Sequence, residues 1–270
     1  MNVPPNPPPT LKRRLRRLAG RVLRAMPVVR RWFVASASYR ILTREGAIAA
    51  QRNAGGWLRS VTAQRQQRAF EQLVAGMQAG APRIDLKVAA EAVTATGLRR
   101  PSLLEIGCGG GYYSEILEAM VAGGVDYTGI DYSAAMVETA RAAFPRQRFE
   151  TGDATALRFG DASFDIVFNG ASLMHILDYP AAIAEGARVA RKYCIYHSLP
   201  IYDDRGTTYL RKHAYGAPVV EVVVNRTELY GLFERGGLRL IRAWPSVPYD
   251  VHPATPEHSS CETFLLAVTR

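Results

Sequence analysis

Residues Leu103–Leu117 read LLEIGCGGGYYSEIL. A short apolar run ends in a cluster of glycines, and the chain leaves it with apolar residues at helical spacing. A strand that turns through glycine into a helix opens a cradle at its carboxyl end, where open α/β sheets bind nucleotide-like ligands. Gly107, Gly109 and Gly111 fall in that turn. Side chains there would keep a ligand from the backbone, and glycine accepts positive φ without penalty. The spacing is GxGxG and not the dinucleotide GxGxxG, because Tyr112 follows Gly111; no Gly-Lys-Ser/Thr follows, so it is not a P-loop. Glu105 precedes the first glycine, and Asp131 ends the next apolar run at the distance where a ribose-binding acid is usual. Two carboxylates around one cradle repel a pyrophosphate and suit a ribose joined to a cationic centre.

Outward from this turn, apolar strands alternate with helical segments. DYTGID is read as a strand, SAAMVETARAAF as a helix that Pro145 closes, and RFETGDA and FDIVFNG as strands. PAAIAEGARVA is a helix, KYCIYHSLPI a strand, TELYGLFERGG a helix, and LRLIRAW and ETFLLAVT are strands. Such alternation implies parallel βαβ units covered on both faces. The expected fold is α/β: a Rossmann-like, seven-stranded, mostly parallel sheet. Residues 203–224 read as irregular. Residues 41–97 carry helical periodicity broken at Gly55-Gly56 and Gly80-Ala81-Pro82, which predicts a helical cap. The expected division is an arm over 1–40, a cap over 41–97 and a catalytic domain over 98–270.

The chain has 34 Lys and Arg against 24 Asp and Glu, a formal net charge of +10. Ten of those basic residues and no acidic residue lie in 1–40, so the rest is balanced at 24 of each sign. The high net charge therefore does not argue for a nucleic-acid-binding body, and no nucleic-acid partner is expected. The arm opens with the proline-rich NVPPNPPP. In LKRRLRRLAGRVLRAM that follows, leucines recur at helical spacing among arginines, and Trp32 and Phe33 come soon after. That composition points to peripheral membrane contact through residues 11–34; a solvated tail is the alternative reading. Three scattered cysteines without CxxC spacing argue against a disulfide framework or zinc ribbon and for a reducing cytoplasm. Neither a membrane span of about 18 apolar residues nor a secretory signal is expected, since arginines interrupt the N-terminal apolar runs.

LLEIGCGGGYYSEIL, YTGIDYS, FETGDATAL and FDIVFNGASLMHI together resemble the successive motifs of class I S-adenosylmethionine-dependent methyltransferases, in that family's order. The likeness covers roughly residues 98–270 and is to bacterial members of undefined acceptor. It implies S-adenosyl-L-methionine as cofactor. Glu105, Gly107 and Gly109, in a turn completed by Gly111, would contact the methionine part. Asp131 would hold the ribose and Tyr132 the adenine face. Asp153 would accept from the adenine amino group with Ala154 beside it, and Asn169 would face the methionine or the substrate. It also implies a final antiparallel strand, matching ETFLLAVT.

Methyl transfer to a hydroxyl benefits from a general base. His175, after the fourth strand, and His197, near the end of the fifth, are the candidates. The Asp/Asn-Pro-Pro-aromatic signature of amide- and base-nitrogen methylases is absent after the fourth strand, where FNGA stands. No metal-ligand spacing is evident, so no metal is expected. O-methylation of a small-molecule, sugar or lipid-linked acceptor remains, with Tyr209, His213 and Tyr215 expected to meet a glycan-like substrate. The alternatives are a non-catalytic methyltransferase-fold module and, against the glycine spacing, an NAD-linked oxidoreductase.

Overall fold

The structure is a computed structural model and describes residues 39–251 and 254–269. The basic arm expected to touch membranes lies outside the described residues, apart from its last two. Strand β2 (Ser102–Ile106) carries the opening apolar run and is buried on both faces. Parity explains this. Leu103 packs into one apolar layer and Leu104 into the other, and Ile166 and Val167 of β5 (Phe164–Gly170) divide the same way. Burial of each such side chain contributes about 1.5–3 kcal/mol.

On one side of the sheet lie α3 (Ile84–Thr94) and α4 (Tyr112–Met120), and on the other α6 (Tyr179–Val189) and α7 (Arg226–Arg235). Strands β3 (Asp126–Asp131), β4 (Arg148–Thr151) and β6 (Ala190–Tyr202) complete the parallel part, in the order β4-β3-β2-β5-β6. β10 (Ser260–Val268) runs antiparallel to β6, and β9 (Leu238–Pro245) antiparallel to β10. These are the seven expected strands. Helix α5 (Ala134–Ala143) follows β3 and starts at Ser133, whose hydroxyl accepts from Met136 N.

Among the described residues the sheet is larger than expected, with ten strands. The segment read as irregular forms a hairpin of β7 (Thr208–Ala214) and β8 (Ala217–Asn225), and β8 joins the end of β6 at Ile201 and Tyr202. The region read as a helical cap begins instead with strand β1 (Arg40–Leu42), paired to β7. Helix α1 (Arg44–Ala54), a 3₁₀ turn (Gly56–Leu58) and α2 (Ser60–Gln78) follow and are mainly helical, as periodicity predicts. Helix α3 packs in the body against α4 and β10. The cap is thus α1, the 3₁₀ turn and α2, facing the β7–β8 hairpin. No helix among the described residues is long and apolar enough to cross a membrane.

Candidate cofactor and acceptor site

A cavity of about 1190 Å³ lies between this cap and the carboxyl ends of β2, β3 and β5. Its floor is the glycine turn. Gly107, Gly109 and Gly111 have φ of 73°, 53° and 79°, a region that side-chain-bearing residues seldom enter. Gly107 N and Cys108 N both donate to Ile130 O, at 2.8 and 2.9 Å, which ties the turn to β3. A Cβ on Gly107 would lie 2.4 Å from Ser172 Oγ, whose hydroxyl donates to Ile106 O. Gly107 and Gly109 line the cavity. Gly111 does not: a Cβ there would meet the Phe149 ring at 2.6 Å, so this glycine permits packing and starts α4.

Asp131 closes β3 with 8% exposure. Its Oδ2 accepts from Gly109 N and its Oδ1 from Ser133 N, both at 2.9 Å. Each oxygen keeps a lone pair for a ligand hydroxyl. Burial raises this carboxyl above its ordinary range, and the two backbone bonds oppose that. Tyr132 is half exposed and lines the cavity with Asp153 and Ala154. Asp153 takes both its protein bonds, from Thr155 N and Oγ1, on Oδ1. Its Oδ2 has capacity for a ligand amino group.

Besides Gly111, two more expected cofactor contacts lie outside the lining. Glu105 is 1% exposed, is outside the cavity lining, and accepts from Tyr127 Oη. Burial pushes it up to about 8, so it is neutral near pH 7 and supplies no second negative charge. Asn169 is also buried away from the lining. Its Oδ1 accepts from Leu173 N at 2.7 Å and Ser172 N at 3.3 Å, holding the loop after β5.

The two histidines part company. His175, in the 3₁₀ turn Leu173–His175, faces the cavity. Its Nδ1 lies 2.7 Å from Val220 O. A carbonyl only accepts, so Nδ1 carries the proton and Nε2 the lone pair. Burial moves this imidazole below its ordinary range, and the Lys212 charge adds to that against Glu221. The Trp57 ring lies against it, centroids 5.0 Å apart. His197 is buried behind the wall: Nδ1 meets Thr263 Oγ1 at 2.8 Å and Nε2 meets Ser198 Oγ at 3.1 Å. Both ring nitrogens are committed and burial lowers its pKa to about 4, so its place is to hold Ser198, which lines the cavity.

Tyr209 and His213 also miss the cavity. On β7 side chains alternate, and Lys212 and Ala214 line the cavity, so Tyr209 and His213 take the opposite face. Tyr215, in the hairpin turn, lines it and approaches Trp57 at 5.9 Å between centroids. Two polar groups here carried no sequence signal. Lys212 pairs with the fully buried Glu221, which accepts from Tyr249 Oη at 2.6 Å. Asp85 takes Arg83 Nε and Nη2 in a two-point fork. Among the described residues no three His, Cys, Asp or Glu side chains gather to hold a metal ion.

Residues 104–195 match the family model described as a methyltransferase domain. This stretch of the chain resembles a methyltransferase domain. The chain is 40% identical over 97 residues to the O-methyltransferase cnsE of Penicillium expansum, which covers 33% of this chain and 34% of that one. It is 34% identical over 95 residues to the malonyl-[acyl-carrier protein] O-methyltransferase of Erwinia billingiae, 35% of this chain and 37% of that one. The chain thus spans about a third of the length of these curated relatives. In fold it matches a methyltransferase of Methanosarcina mazei (TM-score 0.51, 17% identity, 65% of this chain and 96% of that one). It also matches the magnesium protoporphyrin IX methyltransferase of Synechocystis (TM-score 0.51, 17% identity, 84% and 97%). The chain shares the Rossmann-like α/β fold of these structures. The cavity fits the cofactor that the motifs imply: glycines at its floor, a buried acid at the end of β3 with a lone pair left on each oxygen, and a carboxylate oxygen on Asp153 with capacity to accept.

Proposed function

We propose that this chain is an S-adenosylmethionine-dependent O-methyltransferase acting on a small-molecule acceptor with an apolar or aromatic body. The observation that carries the reading is His175, held by the Val220 carbonyl as a neutral base with Nε2 unprotonated, in the cavity that the glycine turn floors. Gly107, Gly109, Asp131, Tyr132 and Asp153 would hold the cofactor. When bound, S-adenosylmethionine supplies an electrophilic methyl group for in-line displacement. The protein orients the acceptor, excludes water and removes the hydroxyl proton at His175 Nε2. Ile48, Trp57, Phe70, Met174 and Tyr215 wall the acceptor side, which supports a largely apolar acceptor more than a free sugar.

A lipid-linked or glycan-like acceptor, a cytoplasmic setting and membrane contact through residues 11–34 stay part of the proposal. The three buried free cysteines support a reducing compartment. Calorimetry with S-adenosylmethionine tests the cofactor. Wild type should bind saturably and Asp131→Ala should bind at least about tenfold more weakly, the scale of a lost two-point hydrogen bond. Equal binding by the two proteins would sink the assignment. Methyl-labelled cofactor incubated with a cell extract then tests transfer: label should appear on an oxygen atom, and Asp131→Ala should abolish it. The arm is tested by flotation with anionic liposomes, where a chain lacking residues 1–38 should stay unbound.

A further inference from the structure

Two side-chain oxygens on α2, Oε1 of Gln66 and Oε1 of Gln67, are buried and have no hydrogen-bond partner among the described residues. Buried amide oxygens are almost always paired, so each marks a place where a donor is missing. Both lie over the glycine turn. A Cβ on Gly109 would come within 2.9 Å of Gln66 Oε1, and one on Gly110 within 2.6 Å of Gln67 Oε1. Only Gln66 also lines the cavity. Helix α2 is held there by Phe70, whose ring stacks on Tyr112 with centroids 3.8 Å apart.

Resting on the cofactor reading above, the donors of S-adenosylmethionine can be matched to acceptors. It has an adenine amino group, two ribose hydroxyls and an α-ammonium. Asp153 takes the first and Asp131 the hydroxyls. The acid that the motif reserves for the methionine end, Glu105, is turned away against Tyr127. Asp85 lines the cavity, but both its oxygens are occupied by the Arg83 fork. Gln66 Oε1 is a buried acceptor at the cavity that lacks a donor, and it stands directly over Gly109 of the turn. We propose that Gln66 Oε1 accepts a hydrogen bond from the α-ammonium of the cofactor, which makes cap helix α2 part of the donor site.

The test is calorimetry on the full chain with two probes. S-adenosylhomocysteine has the amino-acid end; 5′-methylthioadenosine keeps the nucleoside and sulfur but lacks it. In Gln66→Met the affinity for S-adenosylhomocysteine should fall by about tenfold or more, the scale of a hydrogen bond to a charged group. Affinity for 5′-methylthioadenosine should stay within about twofold of wild type. Gln67→Met, the control outside the lining, should leave both unchanged. An undiminished affinity for S-adenosylhomocysteine overturns the proposal, and so does an equal loss for both probes, which would mean that Gln66 only packs the turn. If Gln66→Met does not fold, Gln66→Ala is read by the same criteria. Failure of wild type to bind either probe would instead overturn the cofactor reading itself.

Discussion

Replacing Glu105 by glutamine should remove a pH dependence from the stability of this protein. The carboxyl is 1% exposed, Tyr127 Oη donates to it, and a Cβ on Gly170 would lie 2.2 Å from its Oε1. No cation is among the groups that act on it. Desolvation is the main cause that lifts it from 4.5 to about 8; the Tyr127 bond lowers it and the Asp131 charge raises it further. An unfolded chain gives up this proton near 4.5, whereas the folded one keeps it to about 8. Between those values the folded state binds more protons, so stability falls as pH rises. The contribution is complete below the unfolded value and gone above the folded one. At 1.36 kcal/mol per unit over about 3.5 units, the full swing is about 5 kcal/mol. Glutamine cannot ionise, and its amide oxygen still accepts from Tyr127.

The assay is urea unfolding of wild type and Glu105→Gln at a series of values from about pH 5 to about pH 8. Other titrating groups are common to both proteins and cancel in the difference. Wild-type stability relative to the variant should drop by about 4 kcal/mol across that range. A level difference would mean that Glu105 is ionised in the folded protein. The idea of a single-acid cradle would then be wrong.

Three further outcomes follow from the same geometry. Gly107→Ala places a Cβ 2.4 Å from Ser172 Oγ at φ 73°, and calorimetry should show S-adenosylmethionine affinity lost by at least about tenfold. The imidazole of His175 is held below its ordinary 6.5, so the basic form is already populated at neutrality. The acid limb of the methyl-transfer rate should have its midpoint below 6.5 and vanish in His175→Ala; a midpoint above it would contradict the assignment. Lys212→Met strands the fully buried Glu221 without its cation, and urea unfolding should show a loss of about 3–5 kcal/mol, largely restored in the Lys212→Met/Glu221→Gln double variant.

The main sheet was legible because its signals are local: an apolar run, a glycine turn and a capped helix repeat along the sequence. The β7–β8 hairpin was hidden by its turn. Tyr215 and Gly216 have φ of 50° and 76°, positive at both positions as in the two-residue hairpin turn usually written Asn-Gly or Asp-Gly. Tyrosine in the first place conceals that signal. Strand β1 is three residues long and exists only through pairing with β7, far along the chain. Residue type points to Tyr209 and His213, whereas parity along the strand decides which side chains face the cavity and selects Lys212 and Ala214. For Glu105 the motif spacing places the residue, but desolvation sets its charge, and spacing carries no information on burial. Gln66 belongs to no motif; only its unpaired oxygen marks it.

The 3₁₀ turn Gly56–Leu58 links the two ends of the cavity, the Asp131 end and the His175 end. A Cβ on Gly56 would lie 2.5 Å from Pro218 O, so glycine lets this turn press directly on the hairpin. The next residue, Trp57, lies against both His175 and Tyr215, and its carbonyl accepts from Ser133 Oγ at 2.9 Å. Ser133 N in turn donates to Asp131 Oδ1. One short contact series therefore runs from Asp131 through Ser133 and Trp57 to His175. The hairpin reaches His175 from behind, since Val220 O fixes its tautomer and Glu221 shares its field. With Gln66 on the following helix over the glycine floor, this segment touches the cavity on both sides, and its seating on the hairpin fixes how far His175 stands from the glycine turn.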